Sequence, residues 1–221
     1  MTAENCIILP KIMIPRVNNM VYFFDNYQSL RLEKYKDLLP DDRAERFERF
    51  RQTRDKENCL ASYLLLKYAL KQIGINDFQL EADEYGKPHI KGKDIFFNIS
   101  HCRLGTAVAV NTQPVGIDIQ NVVEFNEKII ERVGSEAEIE FIKNSDDPDR
   151  AFTRIWTLKE AAAKCDGRGI RVLGEFTFED AENRFTKYGK NFVTYELENL
   201  FVSVCGSGDF SDIIEIKNLE D

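Results

Sequence analysis

Two short segments carry the residues best suited to chemistry on a phosphate. The first is Gly116-Ile117-Asp118-Ile119-Gln120. As a strand it puts the two isoleucines on one face and Asp118 with Gln120 on the other. Burying the isoleucines presents an acid and an amide together, beside a glycine that leaves room for a ligand. The second is Trp156-Thr157-Leu158-Lys159-Glu160-Ala161-Ala162-Ala163-Lys164. On a helix, Trp156, Glu160 and Lys164 stack at i, i+4 and i+8. A carboxylate one turn before a lysine can hold a metal ion while the ammonium meets a phosphate. Each segment alone also fits an ordinary structure, either a half-buried strand with a solvated acid or a surface ion pair of roughly 0.3–0.5 kcal/mol.

Three further pieces are weaker alone. Asn98-Ile99-Ser100-His101 ends an apolar run, and His101 is one of two histidines. It suits either a structural hydrogen bond or a phosphate contact, since imidazole donates and its charge can follow an anionic partner. Glu84-Tyr85-Gly86-Lys87-Pro88 is a turn on backbone grounds and displays Lys87 on it. Arg43, Arg46, Arg49, Arg51 and Arg54 alternate with Glu45 and Glu48, the pattern of a solvated helix face.

Hydrophobic periodicity predicts the elements that position these groups. A strand is expected at 21–24, then helical material over 29–74, broken near Pro40 and stopped at Gly74. Strands follow at 78–82, 95–99, 106–110 and 115–119. The second part repeats that order, with helices near 127–132, 135–143 and 149–165. Strand-like runs then follow at 176–178, 192–197, 200–205 and 213–216. The expectation is an α+β fold of two similar, pseudo-symmetric halves, residues 1–113 and 114–221, with the active site at the seam between them.

Composition narrows the class. At 221 residues the chain can bury roughly 70% of the surface its unfolded form exposes and needs no staple. A net charge of −8 argues against general nucleic-acid binding. The cysteines, Cys6, Cys59, Cys102, Cys165 and Cys205, are odd in number and lack C-x-x-C spacing, so no disulfide framework or zinc ribbon is implied. The apolar run at 7–9, between Glu4 and Lys11, is too brief for a signal peptide, and no run is long enough to span a bilayer. A reduced, cytoplasmic protein is expected.

The ordered set resembles the surfactin-type 4′-phosphopantetheinyl transferases. The matching stretches are Tyr85-Gly86-Lys87-Pro88, Phe97-Asn98-Ile99-Ser100-His101, Gly116-Ile117-Asp118, Trp156 through Lys164, and Gly167-Arg168-Gly169-Ile170. The resemblance implies transfer of the 4′-phosphopantetheine arm of coenzyme A to a serine of an apo acyl or peptidyl carrier protein, releasing 3′,5′-ADP. It implies that Asp118 and Glu160 hold Mg²⁺, with Gln120 as a further candidate, and that Glu160 is the base for the serine. Lys164 would lie against the phosphates and assist the leaving group. Ser100 and His101 would contact phosphates, Lys87 would line the nucleotide pocket, and Arg43 and Arg46 would supply cations for the nucleotide. The length suits the two-half, monomeric form rather than the half-length subunits that build the site between chains.

Two residues depart from the family pattern. Gln120 stands where many members have a second acid, and a neutral amide oxygen is the weaker magnesium ligand. Asn58 stands where relatives often have an arginine for the 3′-phosphate. These departures keep open a non-catalytic carrier- or nucleotide-binding protein with the same fold. A magnesium-dependent phosphodiesterase would need a site for activated water, and the sequence offers no further acidic or histidine cluster for one.

Overall fold

A computed structural model describes residues 19–178 and 182–219. Cys6 and the apolar run at 7–9 lie outside the described residues. In chain order the elements are β1 (Met20–Phe24), α1 (Leu32–Tyr35), α2 (Asp41–Arg49), α3 (Thr53–Gln72), β2 (Leu80–Ala82), β3 (Pro88–Ile90), β4 (Phe96–His101), β5 (Thr106–Asn111) and β6 (Val115–Asn121). They continue with α4 (Glu127–Val133), α5 (Glu136–Lys143), α6 (Pro148–Asp166), a 3₁₀ segment (Gly169–Glu175), β7 (Arg184–Lys187), β8 (Lys190–Leu197), β9 (Leu200–Gly206) and β10 (Ile214–Ile216). The fold is α+β, as the periodicity predicts.

Strand alternation explains how the layers stack. The first sheet has the order β10-β1-β5-β4 and the second β6-β9-β8-β7. Along β1, Tyr22 and Phe24 point to one face, where Leu60, Leu64 and Leu65 of α3 cover them. Val21 and Phe23 point to the other, where they meet Ile117, Ile119, Val202 and Val204 of the second sheet. The outer face of that sheet carries Phe192 and Cys205 against Leu158, Ala161 and Ala162 of α6. The chain therefore stacks helix, sheet, sheet, helix, and the buried apolar side chains between layers are its main stabilisation.

Two expectations are corrected. The helical stretch over 29–74 is broken not only near Pro40 but again at residues 50–52, between α2 and α3. The strand predicted at 176–178 does not form. Its backbone is committed to buried side chains instead, because the Phe176 carbonyl accepts from Lys159 Nζ and the Phe178 N–H donates to Glu138 Oε1 at 2.8 Å. A real edge strand, β7, follows at Arg184–Lys187, where half-polar alternation gives a weaker hydrophobic signal. The last strand, β10, forms within the expected 213–216 and pairs parallel to β1 in the first sheet, with Tyr22 opposite Ile214.

Candidate active site

The site forms where β4, β6 and α6 meet. Asn98 Oδ1 accepts the Ile117 N–H at 2.9 Å, so a β4 side chain satisfies the backbone of β6 and joins the sheets. Two residues further along β4, Ser100 Oγ donates to Asp118 Oδ1 of β6 at 2.8 Å. Lys164 Nζ sits 2.5 Å from the same carboxylate oxygen and 3.1 Å from Ser100 Oγ. Asp118 is buried, whereas Lys164 and Glu160 are half-exposed.

Helix α6 is fixed at both ends. Asp147 caps its start by accepting from the Arg150 N–H at 3.1 Å, with Pro148 in the first turn. Gly167, at φ 96°, turns the chain off its end. Its register on the sheet is set by a buried hydroxyl chain. Ser203, opposite Asp118 on β9, meets Thr157 Oγ1 at 2.9 Å and Thr194 Oγ1 at 3.1 Å.

Gly116 corrects one expectation. It does not make room for a ligand; α6 fills that space. A Cβ there would lie 2.1 Å from the Ala161 carbonyl oxygen and 2.3 Å from the Cys165 nitrogen, both backbone atoms that cannot swing aside. This close approach is what places the Glu160–Lys164 turn over Asp118. Gly116→Ala is expected to cost about 1–3 kcal/mol or more through overpacking. The loss should appear as a lower melting temperature with a loss of activity. An unchanged melting temperature in calorimetry would show that the helix does not rest on this position.

Electrostatics link the two carboxylates. Desolvation raises the Glu160 pKa above the ordinary glutamate value, the Asp118 charge raises it further, and Lys164 partly offsets both. The two acids, 42 positions apart in the chain, therefore feel each other at one place. Gln120 lies on the same strand face as Asp118, two residues on, opposite Phe201 of β9. Among the described residues no cluster of three His, Cys, Asp or Glu side chains exists, so a cation here would draw on two carboxylates and on substrate oxygens. That donor set is hard and few in number, which suits magnesium.

A cleft of about 150 Å³ opens beside His101. Arg43, Arg46, Asp55, Asn58 and Ser62 line it with His101. Partial desolvation and then the Lys164 and Arg46 cations hold the His101 pKa below its usual value. Asn58 Oδ1 and Ser62 Oγ are buried here without a hydrogen-bond partner among the described residues. The structure thus gathers Arg43, Arg46 and His101 in one cleft, and Ser100, Asp118 and Lys164 in the adjoining cluster. Lys87 stands apart, with its ammonium 2.6 Å from the Lys164 carbonyl and 3.4 Å from that of Val115.

Sequence reading missed Asp83 and gave Asn98 no separate role. Asp83 Oδ1 accepts from the backbone N–H groups of Tyr85 and Lys87, at 2.9 and 2.8 Å. An aspartate two residues before a Tyr-Gly pair is itself a turn signal, and it could have been read as one.

The fold and the site describe an α+β protein with an acid pair and a lysine beside an arginine–histidine cleft at the junction of two sheets. A family model described as the 4′-phosphopantetheinyl transferase superfamily matches residues 114–210. The 4′-phosphopantetheinyl transferase Sfp of Bacillus subtilis (strain 168) is 28% identical over 208 residues, covering 86% of this chain and 92% of that protein. The transferase gsp of Aneurinibacillus migulanus is 29% identical, covering 68% and 65%. A putative 4′-phosphopantetheinyl transferase of Haemophilus influenzae is 32% identical, covering 62% and 63%. The chain is similar to these transferases over most of its length, and its second half matches the superfamily model.

Proposed function

We propose that this chain transfers 4′-phosphopantetheine from coenzyme A to a serine of an apo carrier protein, in a Mg²⁺-dependent reaction that releases 3′,5′-ADP. The match of residues 114–210 to the superfamily model and the similarity to Sfp support the transfer. The observation that carries the reading to residues is the convergence of Asp118, Glu160 and Lys164 at the junction of β6 and α6. We assign residues 1–113 to nucleotide contacts, through Arg43, Arg46, Ser100 and His101, and residues 114–221 to the metal and the chemistry.

The chemistry follows from the charges. Attack of a hydroxyl on a phosphoryl centre needs positioning and neutralisation of charge more than covalent help. Asp118 and Glu160 would hold the magnesium ion, with Gln120 as an indirect partner through water. When bound, the ion supplies positive charge to the diphosphate of coenzyme A. Glu160, with its raised pKa, is suited to take the proton of the carrier serine. Lys164 donates to the phosphate that departs with 3′,5′-ADP. Arg43, Arg46 and His101 hold the nucleotide end while this happens.

One chain supplies both halves of the site, which supports a monomer. Cys102, Cys165 and Cys205 form no disulfide among the described residues, which supports a reducing, cytoplasmic setting. Among the described residues no helix is long and apolar enough to cross a membrane.

The test is incubation with coenzyme A, Mg²⁺ and several apo carriers, read by intact mass. Addition of one phosphopantetheine to the carrier, abolished by chelation, is expected. Consumption of coenzyme A without a carrier, or none at all, overturns the reading. Gln120→Glu adds a third carboxylate to the face of Asp118 and should lower the magnesium concentration for half-maximal rate by about tenfold. An unchanged magnesium titration in that variant would remove Gln120 from the metal site.

A further inference from the structure

The family resemblance places Lys87 beside the nucleotide, but its hydrogen bonds lie elsewhere. Its ammonium donates to the carbonyl of Lys164 at 2.6 Å and to that of Val115 at 3.4 Å, across 77 and 28 positions of sequence. The Lys164 carbonyl belongs to the last turn of α6, where carbonyls lack a partner within the helix. A cation at a helix C-terminus is also favoured by the helix dipole. The Val115 carbonyl opens β6, three residues before Asp118. Lys87 therefore ties the end of the helix that carries Lys164 to the start of the strand that carries Asp118.

The tie is itself braced. Asp83 Oδ1 holds the Lys87 N–H at 2.8 Å, and the Asp83 N–H donates to the Lys87 carbonyl at 3.0 Å. Gly86, at φ 83°, closes the turn between them. Partial burial also lowers the Lys87 pKa.

We infer that Lys87 is a positioning residue for catalysis. It clamps the end of α6 onto β6 so that Lys164 Nζ stays on Asp118 and Ser100, and it is not primarily a nucleotide contact. The inference rests on the transferase reading for its rate measurements alone. A displacement of about 1 Å at a reacting group can cost up to about 100-fold in rate. Lys87→Met keeps the length and apolar stem and removes the donors.

The experiment compares wild type, Lys87→Met, Lys87→Arg and Asp83→Ala. Measured quantities are kcat and KM for coenzyme A, the Kd of 3′,5′-ADP, and amide hydrogen exchange over residues 160–167. For Lys87→Met, kcat should fall about 10- to 100-fold while KM and Kd stay within about twofold. Exchange at the end of α6 should accelerate at least about fivefold. Lys87→Arg should recover most of the rate, and Asp83→Ala should show a smaller loss of the same kind. Raised KM and Kd with kcat intact would make Lys87 a nucleotide contact and overturn the clamp. Unchanged exchange in Lys87→Met would overturn it too, even where that variant is poorly stable or the wild type modifies no carrier. Failure of the wild type both to bind 3′,5′-ADP and to modify a carrier sinks the transferase reading instead, and leaves the exchange measurement to judge Lys87.

Discussion

Glu160→Gln is expected to lower carrier modification by at least about 1,000-fold while leaving the melting temperature unchanged or slightly higher. The two effects have one origin. Glu160 is half-buried beside the Asp118 carboxylate, and its pKa is raised mainly by desolvation and then by that neighbour. A carboxyl whose folded pKa lies above its unfolded value stabilises the fold below the unfolded value. That contribution is lost as the pH rises through the folded one. At neutral pH the ionised group is therefore a liability to the fold, and a neutral amide of the same shape removes it. In the proposed mechanism the same substitution removes the base for the serine proton and weakens the hold on magnesium. Single-turnover rates from intact mass, with calorimetry on the same samples, check both halves. A rate within about tenfold of wild type would mean that the proton leaves by another route.

How much of this was legible in the sequence depends on the kind of interaction. Segments whose neighbours decide their conformation were readable: β6 from its isoleucine alternation, and α6 from the helical spacing of Trp156, Glu160 and Lys164. The pairing of Asp118 with Lys164, 46 positions apart, was accessible only through the family resemblance, since nothing in either segment names the other. Residues whose role is to fill or vacate space were misread. Gly116 looked like room for a ligand and is instead the seat of a helix, because only the packed structure shows which body approaches it. The 176–178 run looked like a strand because its phenylalanines alternate, yet its carbonyls and N–H groups serve charges buried by α5 and α6. Lys87 was read by its position in a motif, and its partners are backbone carbonyls, which leave no trace in sequence.

Lys159 and Lys164 show the same limit in a form that a melting curve can resolve. They are the same residue type, five apart on one helix. Lys164 reaches the half-exposed cluster, whereas Lys159 is fully buried and pairs with an equally buried Glu138 at 2.9 Å. Lys159 Nζ also donates to the carbonyls of Val133 at 2.9 Å, Leu173 at 3.4 Å and Phe176. Glu138 in turn accepts from the N–H groups of Ser135 at 2.7 Å and Phe178 at 2.8 Å. The pair holds together the end of α4, the start of α5, the 3₁₀ segment and α6, one residue from Glu160. Lys159→Met leaves the carboxylate buried without its cation, at a cost of about 3–5 kcal/mol. For a chain of this length that is a fall of about 6–20 °C in melting temperature. Adding Glu138→Gln should recover part of it, because the residual charge is removed while an acceptor remains for one N–H. Lys164→Met should do the reverse, losing rate with little change in melting. A Lys159→Met protein that melts within about 2 °C of wild type would show that water or a rearranged chain satisfies Glu138, and that the buried pair does not hold these segments together.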